Sequence, residues 1–95
     1  MADDLWFDWD EAKRTANLAK HGVDFTDAVR MDWSVALTEE QVRGGEVRCL
    51  TYAPLDGRLY ALVWTQRGQA IRLISLRRAN RREYDRYVKE TDSPD

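Results

Sequence analysis

The sequence predicts a single α+β domain with two N-terminal helices, an antiparallel sheet of three to four strands and a C-terminal helix. Three observations predict this fold. Helix-capping signals recur in the first third of the chain, three runs rich in branched and aromatic residues follow between residues 46 and 77, and the last segment is again helical. Helices and strands that are segregated along the chain in this way are typical of α+β proteins.

The chain begins with a predicted strand and helix. LWFDW (5–9) alternates sufficiently in polarity for a short strand. Asp8 and Glu11 have the spacing of a helix cap and its return partner, so we predict a helix from about Trp9 to Lys20. Gly22 follows, and glycine is the preferred residue just past a helix end. The residues predicted to share the inward face of this helix are Trp9, Ala12, Ala16 and Ala19.

A second, shorter helix is predicted in VDFTDAVRM (23–31), where Asp24 can cap the N-terminus. The residues predicted to point inward from it are Phe25, Ala28 and Val29. The next segment, SVALTEE (34–40), is compatible with a short strand that leads into a loop through Gly44 and Gly45.

Three strands are predicted in succession after these glycines. They are EVRCLTYA (46–53), RLYALVWT (58–65) and AIRLISLR (70–77). Asp56-Gly57, between the first two, is a strong hairpin signal because both residues tolerate the positive φ of a tight turn. A closing helix is predicted at about 79–90. The residues expected to be buried on it are Tyr84, Tyr87 and Val88.

Composition predicts one intracellular domain. The 95 residues, 43% of them hydrophobic, suffice for a single core over about 5–90, with a flexible tail at 91–95. Cys49 is the sole cysteine, so no internal disulfide can form, as is usual in a reducing cytoplasm. The N-terminus is acidic where a signal peptide would be basic, and the longest apolar run, Tyr60 to Trp64, is too short to cross a bilayer. We expect a cytoplasmic protein with no membrane partner.

Charge is distributed unevenly along the chain. The formal net charge is −2, yet residues 1–66 carry 7 basic and 12 acidic side chains (net −5) and residues 67–90 carry 8 basic and 3 acidic ones (net +5). A Debye length of about 10 Å lets neighbouring charges dominate the field at a bound group. The local excess therefore favours a polyanionic partner, although the whole chain is acidic.

Arginines on the last predicted strand point to an anion site. Arg72 and Arg77 have opposite parity on a regular strand, so one of them is expected to face a surface that should be apolar. An unpaired buried charge is costly, so such an arginine needs an anionic partner or a ligand. Arg67, at the preceding turn, can converge with either, and the hydroxyls of Thr65 and Ser75 lie nearby in sequence. Together they predict a phosphate pocket.

The arginines of the closing helix allow two interpretations. Arg78, Arg82, Arg86 and Lys89 fall at spacings of four, four and three, so they form one stripe. The stripe is either an RNA-backbone track or a solvated face stabilised by i,i+4 ion pairs of about 0.2–0.5 kcal/mol each.

Proton transfer has two candidate groups. His21 is suited to it by an unperturbed pKa near 6.5, although a histidine beside a C-cap glycine is often only a helix-terminus residue. Glu46, at the start of a strand, is a candidate base, although a surface salt bridge is its commoner fate. The sequence shows no convincing metal-ligand cluster and no cofactor motif, so we expect neither metal nor cofactor.

Two blocks of the sequence carry a family pattern, FDWDEAKRTANLAKHGVDF (7–25) and VWTQRGQAIRLISLRRANRREYDRY (63–87), with GEVR (45–48) between them. Together they resemble the BrnT ribonuclease toxins of bacterial type II toxin–antitoxin systems. The family positions met by the first block are Trp9, Asp10, Lys13, Asn17, Lys20, His21, Gly22, Val23 and Phe25. Those met by the second are Trp64, Thr65, Arg67, Gly68, Arg72, Ile74, Ser75, Arg77, Ala79, Arg82 and Glu83. The resemblance covers about residues 6–88.

The resemblance implies a fold similar to that of RelE-type toxins and metal-independent RNA cleavage that arrests translation. It also implies neutralisation by a ribbon-helix-helix antitoxin of the BrnA type. In such a complex the toxin is expected to be a homodimer, and operator DNA is bound only through the antitoxin.

Site roles follow from combining the resemblance with the charge pattern. Arg67, Arg72 and Arg77 are expected to stabilise negative charge on the phosphoryl oxygens, because guanidinium charge is permanent and preorganised. Thr65 and Ser75 would bond the phosphate or orient an arginine. The candidates for base and acid are Glu46 and His21, and the sequence does not decide between them. The alternative is an all-arginine site with weak proton transfer. The residues expected to contact the RNA backbone are Arg78, Arg82 and Lys20.

The alternative function is non-catalytic. A small domain with a basic face could serve as a nucleic-acid-binding or dimerisation module of a transcriptional repressor complex. A third possibility is an interaction module whose arginines pair with an acidic partner.

Overall fold

The computed structural model describes residues 6–92, which form a five-stranded mixed sheet with helices packed on it. The strands are β1 (Trp6–Trp9), β2 (Leu37–Arg43), β3 (Glu46–Leu55), β4 (Arg58–Arg67) and β5 (Ala70–Arg78). The helices are α1 (Glu11–His21), α2 (Arg81–Thr91) and two short 3₁₀ helices, Phe25–Arg30 and Trp33–Val35. The strand order is β1-β5-β4-β3-β2, and only the β1–β5 pair is parallel.

The sheet is larger than the sequence indicated. The α+β class is confirmed, but the prediction of three to four antiparallel strands is wrong, because β1 joins β5 in parallel and β2 pairs along β3. β2 was only an ambiguous segment in the sequence because LTEEQVR is mostly polar, as suits an edge strand. The predicted second helix is a 3₁₀ helix, Phe25–Arg30, capped by Asp24 through a capping box. Val29, predicted to point inward, is 61% exposed.

Helix α1 begins two residues later than predicted. Its N-cap is Asp10, whose carboxylate accepts from the Lys13 N–H at 3.1 Å, whereas Asp8 lies within β1. The predicted C-cap is confirmed, since Gly22 has φ 73° and donates its N–H to the Leu18 carbonyl at 2.8 Å.

The predicted apolar face of α1 is also wrong. Ala12, Ala16 and Ala19 are exposed, and the only buried residue of the helix is the polar Asn17. The reason is that α1 meets the sheet at the edge of β5 and does not lie flat on it.

Asn17 makes that edge contact through its side-chain amide. Its Nδ2 donates to the Leu76 carbonyl at 2.8 Å and to the Val23 carbonyl at 3.2 Å, and its Oδ1 accepts from the Leu76 N–H at 3.1 Å. The β1–β5 pairing stops at Trp9–Leu73, so the amide forms hydrogen bonds with β5 beyond the last residue that pairs with β1. A helix side chain thus takes the place of a missing strand.

Two apolar clusters lie on opposite faces of the sheet, because successive strand residues point to opposite sides. The larger one joins Phe25, Ala28 and Met31 to β3, β4 and β5 through residues such as Leu62 and Leu73. The smaller one is formed by Leu50, Tyr52, Leu59 and Ala61, and Tyr87 of α2 packs against it.

Helix α2 is held mainly by polar contacts. None of its residues is fully buried, and two that were predicted to be, Tyr84 and Val88, are 49% and 39% exposed. The Tyr87 hydroxyl donates to the Val35 carbonyl at 2.7 Å. Arg86 pairs with Glu39 at 2.5 Å, and its guanidinium lies 5.3 Å from the centre of the Tyr52 ring.

The structure tests only part of what was predicted for the two ends of the chain. Leu5 of the predicted first strand and residues 93–95 of the predicted flexible tail lie outside the described residues, while Thr91 ends α2 and Asp92 is its C-cap. Within residues 6–92, neither helix is long and apolar enough to cross a membrane.

We expect Asn17→Ala to destabilise the fold strongly. A buried N–H or C=O left without a partner costs about 1–3 kcal/mol, and the substitution frees both groups of Leu76. Urea unfolding monitored by tryptophan fluorescence measures the loss. Asn80→Ala is the control, because Asn80 is the only other asparagine and caps α2 at an exposed position worth about 1 kcal/mol. Equal losses in the two variants would contradict the edge-pairing role of Asn17.

Candidate active site

A basic cleft of about 130 Å³ opens where the end of β4 meets β3, β5 and α1. Its charged lining consists of four cations and one carboxylate. The lining residues are Lys13, Glu46, Arg48, Thr65, Arg67, Arg72, Leu73 and Ile74. A cleft of this size and charge suits one phosphate group with its oxygens facing several N–H donors.

Strand register brings these residues together. Thr65 and Arg72 are directly paired across β4 and β5, and Arg67 follows Thr65 by two residues on the same face. Glu46 and Arg48 share a face of β3 in the same way. The pairing of β3 with β4 extends to Cys49–Trp64 and no farther, so the two strands part beside the cleft.

Thr65 bridges the gap that results. Its side chain is buried, with the residue 6% exposed, and its hydroxyl donates to the Val47 carbonyl at 3.0 Å. This bond holds β3, and with it Glu46 and Arg48, against the cleft. The Thr65 oxygen keeps its lone pairs for an N–H donor.

The arginines of β5 lie on one face, contrary to the parity of the sequence. Trp64 pairs with Leu73 and Val63 pairs with Ser75, so Ile74 is an extra residue that forms a bulge. Arg72 is therefore opposite Thr65 and Arg77 opposite Ala61, on the same side of β4. The prediction of opposite faces is wrong because a bulge reverses the alternation.

Arg72 is held by a carboxylate that the sequence did not indicate. Its Nη1 donates to Asp8 Oδ2 at 2.8 Å across the β1–β5 pair. This bond, helped by the charges of Arg72 and Arg67, lowers the pKa of Asp8 below its ordinary value. The sequence predicted Asp8 to be a helix cap, because no local signal indicates its partner 64 residues away.

Of the three arginines in the cleft, Arg67 is the one without an ion pair among residues 6–92. It is exposed, and among residues 6–92 no carboxylate lies within salt-bridge distance of it. Arg48 reaches Glu46 at 3.4 Å, a long contact between partly exposed groups. The cleft thus contains guanidinium donors that its own acids do not satisfy.

A second cleft, of about 230 Å³, adjoins the first. The two share Lys13 and Ile74, and the second contains three predicted site residues, Lys20, His21 and Ser75. The Asn17 contact sets this arrangement, because Lys13 lies one helical turn before it and Lys20 and His21 one turn after it.

Comparison with known proteins gives the family. A family model described as "Ribonuclease toxin, BrnT, of type II toxin-antitoxin system" matches residues 9–83, most of the chain. The chain belongs to the BrnT family. In the crystal structure of the Brucella abortus ribonuclease toxin BrnT, 99% of that chain aligns with 81% of this one at 29% identity, with a TM-score of 0.63. Among curated proteins, none matches this sequence.

Membership of the BrnT family establishes the general activity. The chain is a ribonuclease toxin of a type II toxin–antitoxin system, with RNA as the substrate and an antitoxin as the partner. The likeness to RelE-type toxins stays a prediction.

The structure brings most predicted site residues of this BrnT-family chain into the two clefts, with three exceptions. Thr65, Arg67, Arg72 and Glu46 line the first cleft, and Lys20, His21 and Ser75 line the second. Arg77, Arg78 and Arg82 line neither. Sequence reasoning did not assign a role to Lys13 or Arg48, although both were in or beside the family blocks.

Arg77 is bound within the fold. Its Nη1 and Nη2 donate to Glu83 Oε1 and Oε2, each at 2.9 Å, and the Tyr52 hydroxyl donates to Glu83 at 3.2 Å. Hydrogen bonding by Arg77 is the main cause that lowers the pKa of Glu83 from 4.5 to about 2. Glu83 also caps α2 through the Asn80 N–H at 2.9 Å. This ion pair joins β5, β3 and α2.

The Arg77–Glu83 pair predicts a specific acid sensitivity. Because the pKa of Glu83 is depressed in the folded chain, its stabilisation is complete above about pH 4.5 and is lost as the pH falls through about 2. A depression of this size corresponds to about 3 kcal/mol of unfolding free energy. Glu83→Gln should have a shallower pH dependence than the wild type in this range, because the contribution of Glu83 is removed.

Urea unfolding at a series of pH values measures that dependence. Asp85→Asn is the control, because Asp85 makes only an exposed 3.3 Å contact with Arg81 on the same helix. If Glu83→Gln kept the wild-type slope, the pair would not carry the acid sensitivity.

Proposed function

We propose that this chain is a metal-independent endoribonuclease that cleaves RNA in the basic cleft and thereby arrests translation in the cytoplasm. The observation that carries the proposal is the convergence of Arg48, Arg67, Arg72 and Lys13 on a space of about 130 Å³. Three strands and a helix supply these cations.

The proposed reaction is attack of an RNA 2′-hydroxyl on the adjacent phosphate. The 2′-oxygen forms a bond to phosphorus, the bond to the 5′-oxygen breaks, and a cyclic phosphate and a 5′-hydroxyl result. Negative charge grows on the phosphoryl oxygens in the transition state, and fixed guanidinium groups stabilise it without reorganisation. We assign this role to Arg67 and Arg72, with Arg48 and Lys13 as further phosphate contacts.

Proton transfer is assigned from the positions of the two candidates. Glu46 lines the cleft beside the arginines, so it is placed to accept the proton of the 2′-hydroxyl. His21 lines the adjoining cleft, which shares Lys13 with the first one, and is assigned to protonate the leaving 5′-oxygen. Ser75 and Lys20 hold the neighbouring phosphate in this scheme.

Metal independence is proposed because the cleft supplies its positive charge from side chains. In the part of the chain that the structure describes, no group of three or more His, Cys, Asp or Glu side chains is placed to hold a metal ion. In this proposal, guanidinium and ammonium groups supply the positive charge that a metal ion would otherwise bring to the phosphate.

The antitoxin is proposed to be a ribbon-helix-helix protein of the BrnA type that covers the cleft. The type rests on the family resemblance, as do a toxin homodimer in the complex and operator binding through the antitoxin. An acidic or helical segment laid over the four cations would neutralise them and exclude RNA at once.

Arg67→Ala should abolish activity without unfolding the protein. Loss of one preorganised donor to a transition-state oxyanion costs about 2.7–4 kcal/mol, or about a hundred- to a thousand-fold in turnover. Arg67 is exposed and makes no ion pair among residues 6–92, so thermal stability should not change. RNA cleavage and growth arrest on induction are the readouts. Lysine at position 67 should not restore activity, because an ammonium lacks the planar guanidinium geometry.

Lys89→Ala is the matched control for Arg67→Ala. It removes one exposed positive charge at the far end of α2 and should leave cleavage unchanged. If Arg67→Ala kept full activity and Lys89→Ala lost activity, the active site would have to lie on α2.

Chelation tests the metal-free proposal separately. Cleavage by purified protein should continue in excess EDTA, because the positive charges proposed to stabilise the transition state belong to side chains that EDTA cannot remove. Activity that vanishes with EDTA and returns with Mg²⁺ would overturn the arginine-based mechanism.

A further inference from the structure

A third cleft, which is also basic, lies at the opposite end of β4 from the candidate active site. It encloses about 280 Å³ where the β3–β4 turn meets the β5–α2 connection, and Arg58, Arg78, Arg81, Asn80 and Tyr84 are among its lining residues. The Ala79 N–H donates to the Leu59 carbonyl at 2.9 Å, which fixes the connection against β4. The walls of this cleft are therefore preformed.

Acidic neighbours do not neutralise this cleft. Asp56, in the adjoining turn, is bound by Arg30 at 2.7 Å, and Glu83 is bound by Arg77. Asp85 accepts from Arg81 only at Nε, at 3.3 Å. Over residues 6–92, Arg58 and Arg78 have no carboxylate within salt-bridge distance.

The register places these two arginines as neighbours. Arg78 pairs with Tyr60, and Arg58 precedes Tyr60 by two residues, so the two are diagonal neighbours about 7–8 Å apart on one side of the sheet. Like charges at this separation repel each other, and an anion held between them relieves the repulsion. The N-cap of α2 is already satisfied by Asn80 and Glu83, so the guanidinium groups are the binding elements.

We propose that this cleft is a second, non-catalytic site for single-stranded RNA, in which Arg58 and Arg78 hold a backbone phosphate and the ring of Tyr84 stacks on a base. Tyr84 is 49% exposed, and one aromatic ring among guanidinium groups is the composition of single-strand platforms. A protein interface would instead centre on several apolar anchors, which this cleft lacks.

The position of the site predicts its effect on the substrate. Arg58 and Arg67 are nine residues apart on β4, about 30 Å at the rise of a strand. This odd separation places the two arginines on opposite faces of the sheet, so only an RNA long enough to pass from one face to the other can occupy both clefts. The second site therefore favours long substrates and contributes to KM, not to kcat.

Binding of RNA to single-charge variants tests this proposal, which rests on the proposed function only in taking RNA as the ligand. The probe is a fluorescent, 2′-O-methylated single strand that cannot be cleaved, and its anisotropy is measured over a series of salt concentrations. Arg58→Ala and Arg78→Ala should each bind several-fold more weakly and lower the salt slope by about 0.7. Lys89→Ala, which also removes one exposed charge, should match the wild type.

The outcomes separate this site from the catalytic one. Wild-type affinity and slope in both arginine variants would overturn the second site, and so would loss of antitoxin binding with RNA binding intact. A wild-type protein that cleaves no RNA, yet binds the probe through Arg58 and Arg78, would overturn the proposed catalysis and leave this site standing.

Discussion

The amide of Asn17 occupies the edge of β5 at the point where β1 has ended, and the placement of the candidate active-site cleft depends on it. Its bonds to Leu76 and Val23 satisfy backbone groups that would otherwise be buried without partners. They also fix the rotation of α1 about its axis. Because of that rotation, Lys13 faces the arginine cleft and His21 faces the adjoining one. A helix packed by its alanines would have turned these groups away from the sheet.

Helix α2 divides the face of the sheet on which Arg72 and Arg77 lie. It covers Leu50, Tyr52 and Ala61 and leaves the end of β4 open. Arg77 lies under the covered half and is neutralised by Glu83, whereas Arg72 borders the open half. An acidic chain can therefore present a basic site, since many of its carboxylates are paired at other places in the fold. Net charge describes the whole chain, whereas the proposed catalytic cleft lies in the open half of one face.

Local signals allowed much of the fold to be predicted from the sequence. The Asp24 cap, the Gly22 cap and the Asp56-Gly57 turn, with φ 52° and 80°, each depend on a few adjacent residues. The parallel partner of β5 and the bulge at Ile74 could not be predicted, because they arise when distant segments meet. Thr65, Arg67 and Arg72 are close enough in sequence to be predicted as candidate site residues, whereas the contact of Asp8 with Arg72 joins residues 64 positions apart and left no local signal.

The geometry of each ion pair separates a structural arginine from one that can serve a substrate. Glu83 takes both terminal nitrogens of Arg77, and Tyr52 and the α2 cap complete its surroundings, so an incoming phosphate would have to break a bidentate pair that joins three elements. Asp8 takes only Nη1 of Arg72 and comes from a short edge strand. That contact fixes the direction of the guanidinium and leaves its other N–H groups for the cleft. A monodentate carboxylate thus orients Arg72 and leaves its remaining N–H groups available to a phosphate, whereas no carboxylate among residues 6–92 holds Arg67.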